Sequence, residues 1–187
     1  MPGAGKSGVY EVAKRLNIPI ISMGDIVRYE TKKRGLELNP KNVGETAIWL
    51  REKYGDEAIA VACLKYINEN LKDKDVVIIE GIRSLYEVDY FRKHKPLVLI
   101  AIHASPRTRF ERLRSRGRED DPKDLRVFIE RDLRELKFGI GESIALADFM
   151  IINENDYDKF LNNLEEVIKE IINNKDKYKN QIIYNIP

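Results

Sequence analysis

The chain has 187 residues, 34% of them Asp, Glu, Lys or Arg, and a net charge of +2. That length fits one domain with a sizeable core. The near-balance of charge argues against a dominant nucleic-acid-binding role, leaving room for a local basic cluster at most. A single cysteine, Cys63, excludes an internal disulfide and fits a reducing cytoplasm. The longest apolar run, PLVLIAIHA, is far short of the ~20 residues of a spanning helix, so no membrane partner is expected.

The chain opens MPGAGKSG, the last part of the phosphate-loop pattern G-x-x-x-x-G-K-[ST]. Backbone N–H groups over Gly3, Ala4 and Gly5, and on through Lys6, Ser7 and Gly8, can wrap phosphate oxygens, and the following helix turns its N-terminus toward the same anion. Lys6 can reach the β- and γ-phosphates of ATP, and Ser7 can ligate Mg2+. Such a loop normally hangs from an interior strand. The expectation is that the natural chain starts upstream, that Met1 is an internal methionine of the loop, and that the first strand is missing from the given chain.

Periodicity then predicts elements in alternation. Ser7–Leu16 reads as helix, Ile18–Ser22 as a short strand, and Gly24–Lys33, Val43–Lys53 and Asp56–Leu71 as helices. Val76–Gly81 is a β-branched run suited to a strand covered on both faces. Leu85–His94 is helical, LVLIAIHA is another interior strand, and Pro106 opens a basic helix to about Arg116. GREDDP is a loop, Lys123–Lys137 a charged helix and FGIG a glycine-bearing break. Asp148–Asn153 is the last strand and Tyr157–Ile172 a closing helix. The tail after it reads as a loose arm, or as a strand QIIYNI on a sheet edge.

Strands separated by helices imply an α/β fold with a parallel sheet between helical layers, the three-layer sandwich of P-loop proteins. Ligands in such sheets bind at the carboxyl ends of the strands. Three predicted strand ends carry polar groups there: Asp25, Glu80 and Asn153. Asp25 and Arg28 share a helical face, and an arginine can grip a phosphate in a planar fork. Glu80 can hold Mg2+ through water, with Arg83 just beyond as a second acceptor contact. Arg112, Arg114, Arg116 and Arg118 gather on a helix end and loop, where a lid over residues 112–122 could stabilise the transferring phosphoryl group. Cys63 lies in an apolar helical stretch and reads as a buried thiol. Trp49 reads as a core anchor and the two histidines as structural.

GAGKS, GDIVR, EGIRS and RLRSRGREDD, in that order, resemble the motifs of adenylate kinases and other nucleoside monophosphate kinases. ADFMIIN before a closing helix resembles dephospho-coenzyme A kinases. With KFGIGE at Lys137–Glu142, residues 1–172 as a whole are most similar to an archaeal P-loop family described as adenylate kinase-related, kin to both. The resemblance implies a nucleotide kinase-like domain over residues 1–173, with 23–71 covering the acceptor, and a C-terminal tail over 174–187. It implies acceptor-phosphate contacts from Arg28 and Arg83, and lid roles for Arg118, Asp120 and Asp121. The arginine after that pair matches Arg131, with Arg126 as rival. Adenine contacts are expected near Asn153–Asp156. The expected activity is transfer of the ATP γ-phosphoryl to a nucleoside monophosphate or similar small acceptor. Hydroxyl phosphorylation with Asp25 as base, and an ATP-dependent switch acting on a macromolecular partner, are the alternatives. The resemblance fixes neither the acceptor nor the oligomeric state.

Overall fold

Helix α1 (Lys6–Arg15) starts directly on the glycine loop, and strand β1 (Ile20–Ser22) follows after a tight reversal at Asn17. The computed structural model describes residues 1–116, 122 and 124–186. Helices α2 (Met23–Lys33), α3 (Pro40–Tyr54) and α4 (Ala58–Asn70) lead to strand β2 (Ile78–Glu80). Helix α5 (Leu85–His94) crosses to β3 (Ile100–His103), and α6 (Pro106–Arg116), α7 (Leu125–Lys137) and α8 (Ile140–Ala145) lead to β4 (Phe149–Ile152). Helix α9 (Tyr157–Asn173) and a 3-10 turn over Lys175–Tyr178 close the chain.

The strands form two parallel pairs. β1 lies beside β2 with Ser22 opposite Glu80, and β3 beside β4 with His103 opposite Ile152. Among the described residues the pairs share no ladder, yet Ile78 of β2 and Ile100 and Ile102 of β3 pack on one apolar cluster with Val12, Ile151, Phe160 and Leu164. The neighbouring Ile79 enters a different cluster, built by Ile21, Val27, Ile59, Cys63 and Phe91. Successive strand residues point to opposite faces, so β2 is covered on both. This is why its sequence is continuously apolar rather than alternating.

Local chemistry sets the helix starts. Asn39, Ser84, Asp124 and Asp156 each accept a hydrogen bond from the backbone N–H three residues on. Each such cap contributes about 1 kcal/mol. Two expectations are corrected. FGIG is more than a break: Phe138 caps α7, Gly139 takes a φ of 93°, and α8 begins at once. A six-residue helix is too short to show periodicity in the sequence. The tail is neither loose nor a strand. Asp89, buried on α5, accepts from the N–H groups of Tyr184 (3.0 Å) and Ile186 (3.3 Å). Arg92 of α5 donates to the Ile182 carbonyl at 2.8 Å. Side chains therefore take the backbone groups that a sheet edge would have used.

Cys63 is fully buried, and burial pushes its thiol up to about 12. The native protein at pH 8 is expected to leave a thiol reagent unreacted. The denatured protein should react at one thiol per chain. Rapid reaction without unfolding would show that the α2–α5 core is not packed as described.

Candidate functional site

The glycine loop is held from beneath. Asn153, at the end of β4 and only 2% exposed, donates through Nδ2 to the Ala4 carbonyl at 2.8 Å. Arg109 of α6 donates to the Pro2 carbonyl at 3.2 Å and to the Ala104 carbonyl at 3.1 Å. The same buried guanidinium forks onto Asp132 of α7 at 2.8 and 2.5 Å and lies over the Phe128 ring. Above these contacts, the backbone N–H groups of Gly5, Lys6 and Ser7 have no protein acceptor among the described residues. Gly5 has a φ of 134°, and a Cβ there would overlap Asn153 Nδ2 and crowd Phe160 Cζ at 3.1 Å. Loop and strand end thus approach too closely for any side chain. Carbonyls tied down and N–H groups left open make a cradle that fits an anion at the N-terminus of a ten-residue helix.

Lys6, Tyr10 and Glu80 meet at one atom. Glu80 Oε1 lies 2.5 Å from Lys6 Nζ and accepts from the Tyr10 hydroxyl at 3.1 Å. Burial, then the Glu80 charge, pushes the Tyr10 phenol up to about 12. The exposed Ser7 hydroxyl and the Glu80 carboxylate supply hard oxygen donors, the set that suits Mg2+. Among the described residues no group of three or more His, Cys, Asp or Glu is placed to hold a metal, so an ion here would share its shell with phosphate and water.

The residues expected on the acceptor side are paired with acids. Arg28 Nη1 donates to Asp25 at 2.6 Å, both side chains exposed. Arg83 Nε lies 3.1 Å from Glu135 on α7. Its backbone N–H donates to Glu87 at 2.7 Å, and Glu87 also accepts from Arg51 at 2.9 Å. Glu87 is buried, and burial raises its carboxyl against the opposing pull of Arg51.

The arginine-rich segment divides. Arg112 is spent on structure, donating to the Asn153 carbonyl at 2.8 Å and the Glu154 carbonyl at 3.1 Å. Arg114 is exposed, its guanidinium 5.8 Å from the Phe110 ring. Arg131 is half-buried on α7. Arg118, Asp120 and Asp121 lie outside the described residues. Trp49 is an anchor, with Arg34 at 4.1 Å and Lys53 at 4.8 Å from its ring. His94 is structural, its Nδ1 2.7 Å from the Tyr90 carbonyl.

The sequence reading missed Tyr10, Arg109, Asp132, Arg51 and Glu87. Only Tyr10 had a signal, being one turn beyond Lys6 on the same helical face. The others take their roles from contacts between distant segments.

Residues 1–127 match the family model described as an AAA domain. UPF0200 protein MJ1399 of Methanocaldococcus jannaschii is 71% identical, over 96% of this chain and 91% of its own length. UPF0200 protein MMP1282 of Methanococcus maripaludis is 59% identical, over 92% of this chain and 94% of its own. UPF0200 protein PYRAB09750 of Pyrococcus abyssi is 43% identical, over 92% and 94%. No helix among the described residues is long and apolar enough to cross a membrane.

Asn153→Ala removes the donor to Ala4 and leaves that carbonyl buried and unpaired. It is expected to lower the unfolding free energy by about 1–3 kcal/mol, read by urea denaturation. Asn153→Asp keeps an acceptor for Arg112 but sets a carboxylate against a carbonyl, and should be no more stable than the alanine variant. Wild-type stability in both would remove Asn153 as the support of the loop.

Proposed function

We propose that this chain, which belongs to the UPF0200 family of archaeal P-loop proteins, is a phosphotransferase. It binds ATP with Mg2+ at the glycine loop and moves the γ-phosphoryl group to a nucleoside monophosphate or similar small acceptor in the cytoplasm. One observation carries the reading. The loop cation Lys6 and the strand-end acid Glu80 meet at 2.5 Å beside a loop whose Gly5, Lys6 and Ser7 N–H groups have no acceptor among the described residues.

In this reading the loop Gly3–Gly8 surrounds the phosphates, which take the open N–H groups of Gly5, Lys6 and Ser7 and the Lys6 ammonium. Ser7 and Glu80 hold the ion, which would screen charge between the β- and γ-phosphates. Arg28 and Arg83 leave Asp25 and Glu135 for the acceptor phosphate. Its oxygen is already a nucleophile, so orientation and charge neutralisation supply most of the rate and no strong base is needed. Arg114, Arg118 and Arg131 spread over the transferring group, and of the stretch Asn153–Asp156 it is Glu154 to Asp156 that meet adenine, Asn153 being buried with its amide on the loop. Residues 1–173 form the catalytic domain, with 23–71 over the acceptor. Phosphorylation of a hydroxyl, with Asp25 as base, is the alternative, since a departing Arg28 would free the Asp25 carboxylate it now holds at 2.6 Å.

The reading also assigns the space between β2 and β3 to the strand from which the loop hangs, which would complete a three-layer sandwich. The absence of a shared ladder between the strand pairs, with Ile78 and Ile100 on one cluster, supports this. The intact mass of the protein from its own cells tests it, and a native N-terminus at Met1 or Pro2 would sink the idea.

The activity is tested with Mg-ATP, a panel of every nucleoside monophosphate and dephospho-coenzyme A, and a control without acceptor, products being read by mass spectrometry. One phosphorylated acceptor is the expected result. ADP formed equally in every sample, or never formed despite ATP binding, would move the protein to the class of ATP-dependent switches.

A further inference from the structure

Tyr10 is absent from the phosphate-loop pattern, yet it touches the same atom as the loop lysine. It lies one helical turn beyond Lys6, so both project from one face of α1. Glu80 Oε1 receives the phenol at 3.1 Å and the ammonium at 2.5 Å. The Lys6 Nζ is itself 6.0 Å from the centre of the Tyr10 ring. Glu80 has a side chain only 10% exposed, whereas that of Lys6 is 60% exposed. Opposite Glu80 in the register, Ser22 is buried, and its hydroxyl has no hydrogen-bond partner among the described residues. The acid thus stands in a narrow place bounded by α1 and β1, with two donors on one oxygen.

These two donors differ in what a nucleotide does to them. The ammonium rides on a flexible four-carbon stem and is drawn to phosphate when phosphate is present. The phenol, on a stiff ring with two side-chain torsions, has Glu80 as its hydrogen-bond acceptor among the described residues, although Tyr10 itself is 39% exposed. Once Lys6 turns to the phosphates, Tyr10 is the partner that remains on Glu80. A carboxylate stripped of both donors would be free to rotate, and a ligand oxygen must be held in place to bind a small ion that demands strict geometry.

We infer that Tyr10 is a positioning residue of the nucleotide site, a phenol that fixes the Glu80 carboxylate for the magnesium ion of bound ATP. The inference rests on the reading of the loop as an Mg-ATP site and adds a residue outside the loop motif. The residue acts through Glu80 and leaves the phosphates to the loop. It therefore governs how much magnesium improves ATP binding, without changing how metal-free ATP binds.

Calorimetry of ATP binding in excess EDTA and across a magnesium series separates the two. The proteins are the wild type, Tyr10→Phe, Glu80→Gln and the double variant. Phenylalanine keeps the ring packing, and thermal melts should match the wild type. The expected result is unchanged affinity of Tyr10→Phe for ATP in EDTA and a loss of about tenfold in apparent magnesium affinity of the ATP complex. Glu80→Gln should lose more, and the double variant no more than Glu80→Gln alone. A Tyr10→Phe protein with the full magnesium gain overturns the inference and leaves the Mg-ATP reading intact. So does a double variant whose loss is the product of the two single losses. A wild-type protein that binds no ATP, or binds it without any magnesium gain, overturns both.

Discussion

The hydrogen bond from Asn153 to the Ala4 carbonyl is the contact on which the site depends. The loop ties two of its own carbonyls, Met1 and Gly5 accepting from Ala4 and Gly8, but those of Pro2 and Ala4 have no donor within it, and buried carbonyls without donors are costly. The donor must come from outside, at the base of the loop. The β3–β4 pair supplies it, because the Asn153 N–H donates to the His103 carbonyl at 2.8 Å and fixes where the side chain starts. Arg112 then grips the Asn153 carbonyl from α6. Glu154, the next residue, accepts from the Ser105 and Thr108 hydroxyls at 3.1 and 2.7 Å at the start of that helix. The hydrogen bonds from Thr108 and from the Ser105 backbone N–H, outweighing the opposing effect of burial, hold its carboxyl below the usual range. The placement of α6, the end of β4 and the shape of the loop are one network.

Three cations of the candidate site share a second property: each already has an acid. Lys6 rests on Glu80, Arg28 on Asp25 and Arg83 on Glu135. Like charges brought together to receive phosphate would repel in the empty state, and these acids remove that cost. They also make ligand binding an exchange of partners rather than a fresh ion pairing. Exposed pairs such as Arg28–Asp25 are worth roughly 0–1 kcal/mol, so a phosphate, offering several oxygens to the planar fork of the guanidinium, would take the arginine readily. Arg109 and Asp132 are the contrast. Their bidentate pair is nearly sealed from water, and loss of one partner there costs about 3–5 kcal/mol. Strength of pairing therefore separates the residues that hold the frame from those poised to meet a ligand.

Much of this was legible in the sequence because it is written in short range. The glycine loop, the polar residues at strand ends and the β-branched strands all declare themselves within a few positions, and α1, α5 and α6 follow from periodicity and caps. What stayed hidden depends on distance along the chain. Arg112 has the composition of a lid residue, and only its approach to the Asn153 and Glu154 carbonyls gives it a structural part. Asn153 reads as a cofactor contact by its place at a strand end, whereas its amide is turned onto the loop itself. The tail QIIYNI has the pattern of a strand, but the buried carboxylate of Asp89 and the guanidinium of Arg92 claim its backbone first. A propensity cannot register a competitor some ninety residues away.

KFGIGE gains a meaning from the same kind of contact. As a surface motif it would suit a macromolecular partner. In the fold Lys137 and Glu142 are exposed, while the residues between them are half-buried against the segment that carries Arg83. Phe138 lies 5.2 Å beneath the Arg51 guanidinium, and Arg51 is the partner of buried Glu87. The Cα of Gly139 comes so near α5 that a Cβ would sit 3.7 Å from Ser84, the residue after Arg83. Glu87 in turn bonds the Arg83 N–H. The backbone of Arg83 is thus set by Glu87, Arg51 and the α7–α8 turn together, while its side chain rests on α7 through Glu135. A displacement of α7 would be felt at Arg83 through both its backbone and its guanidinium. The α7–α8 segment is therefore mechanically joined to Arg83, and the half-buried middle of the signature is accounted for by the positioning of that arginine.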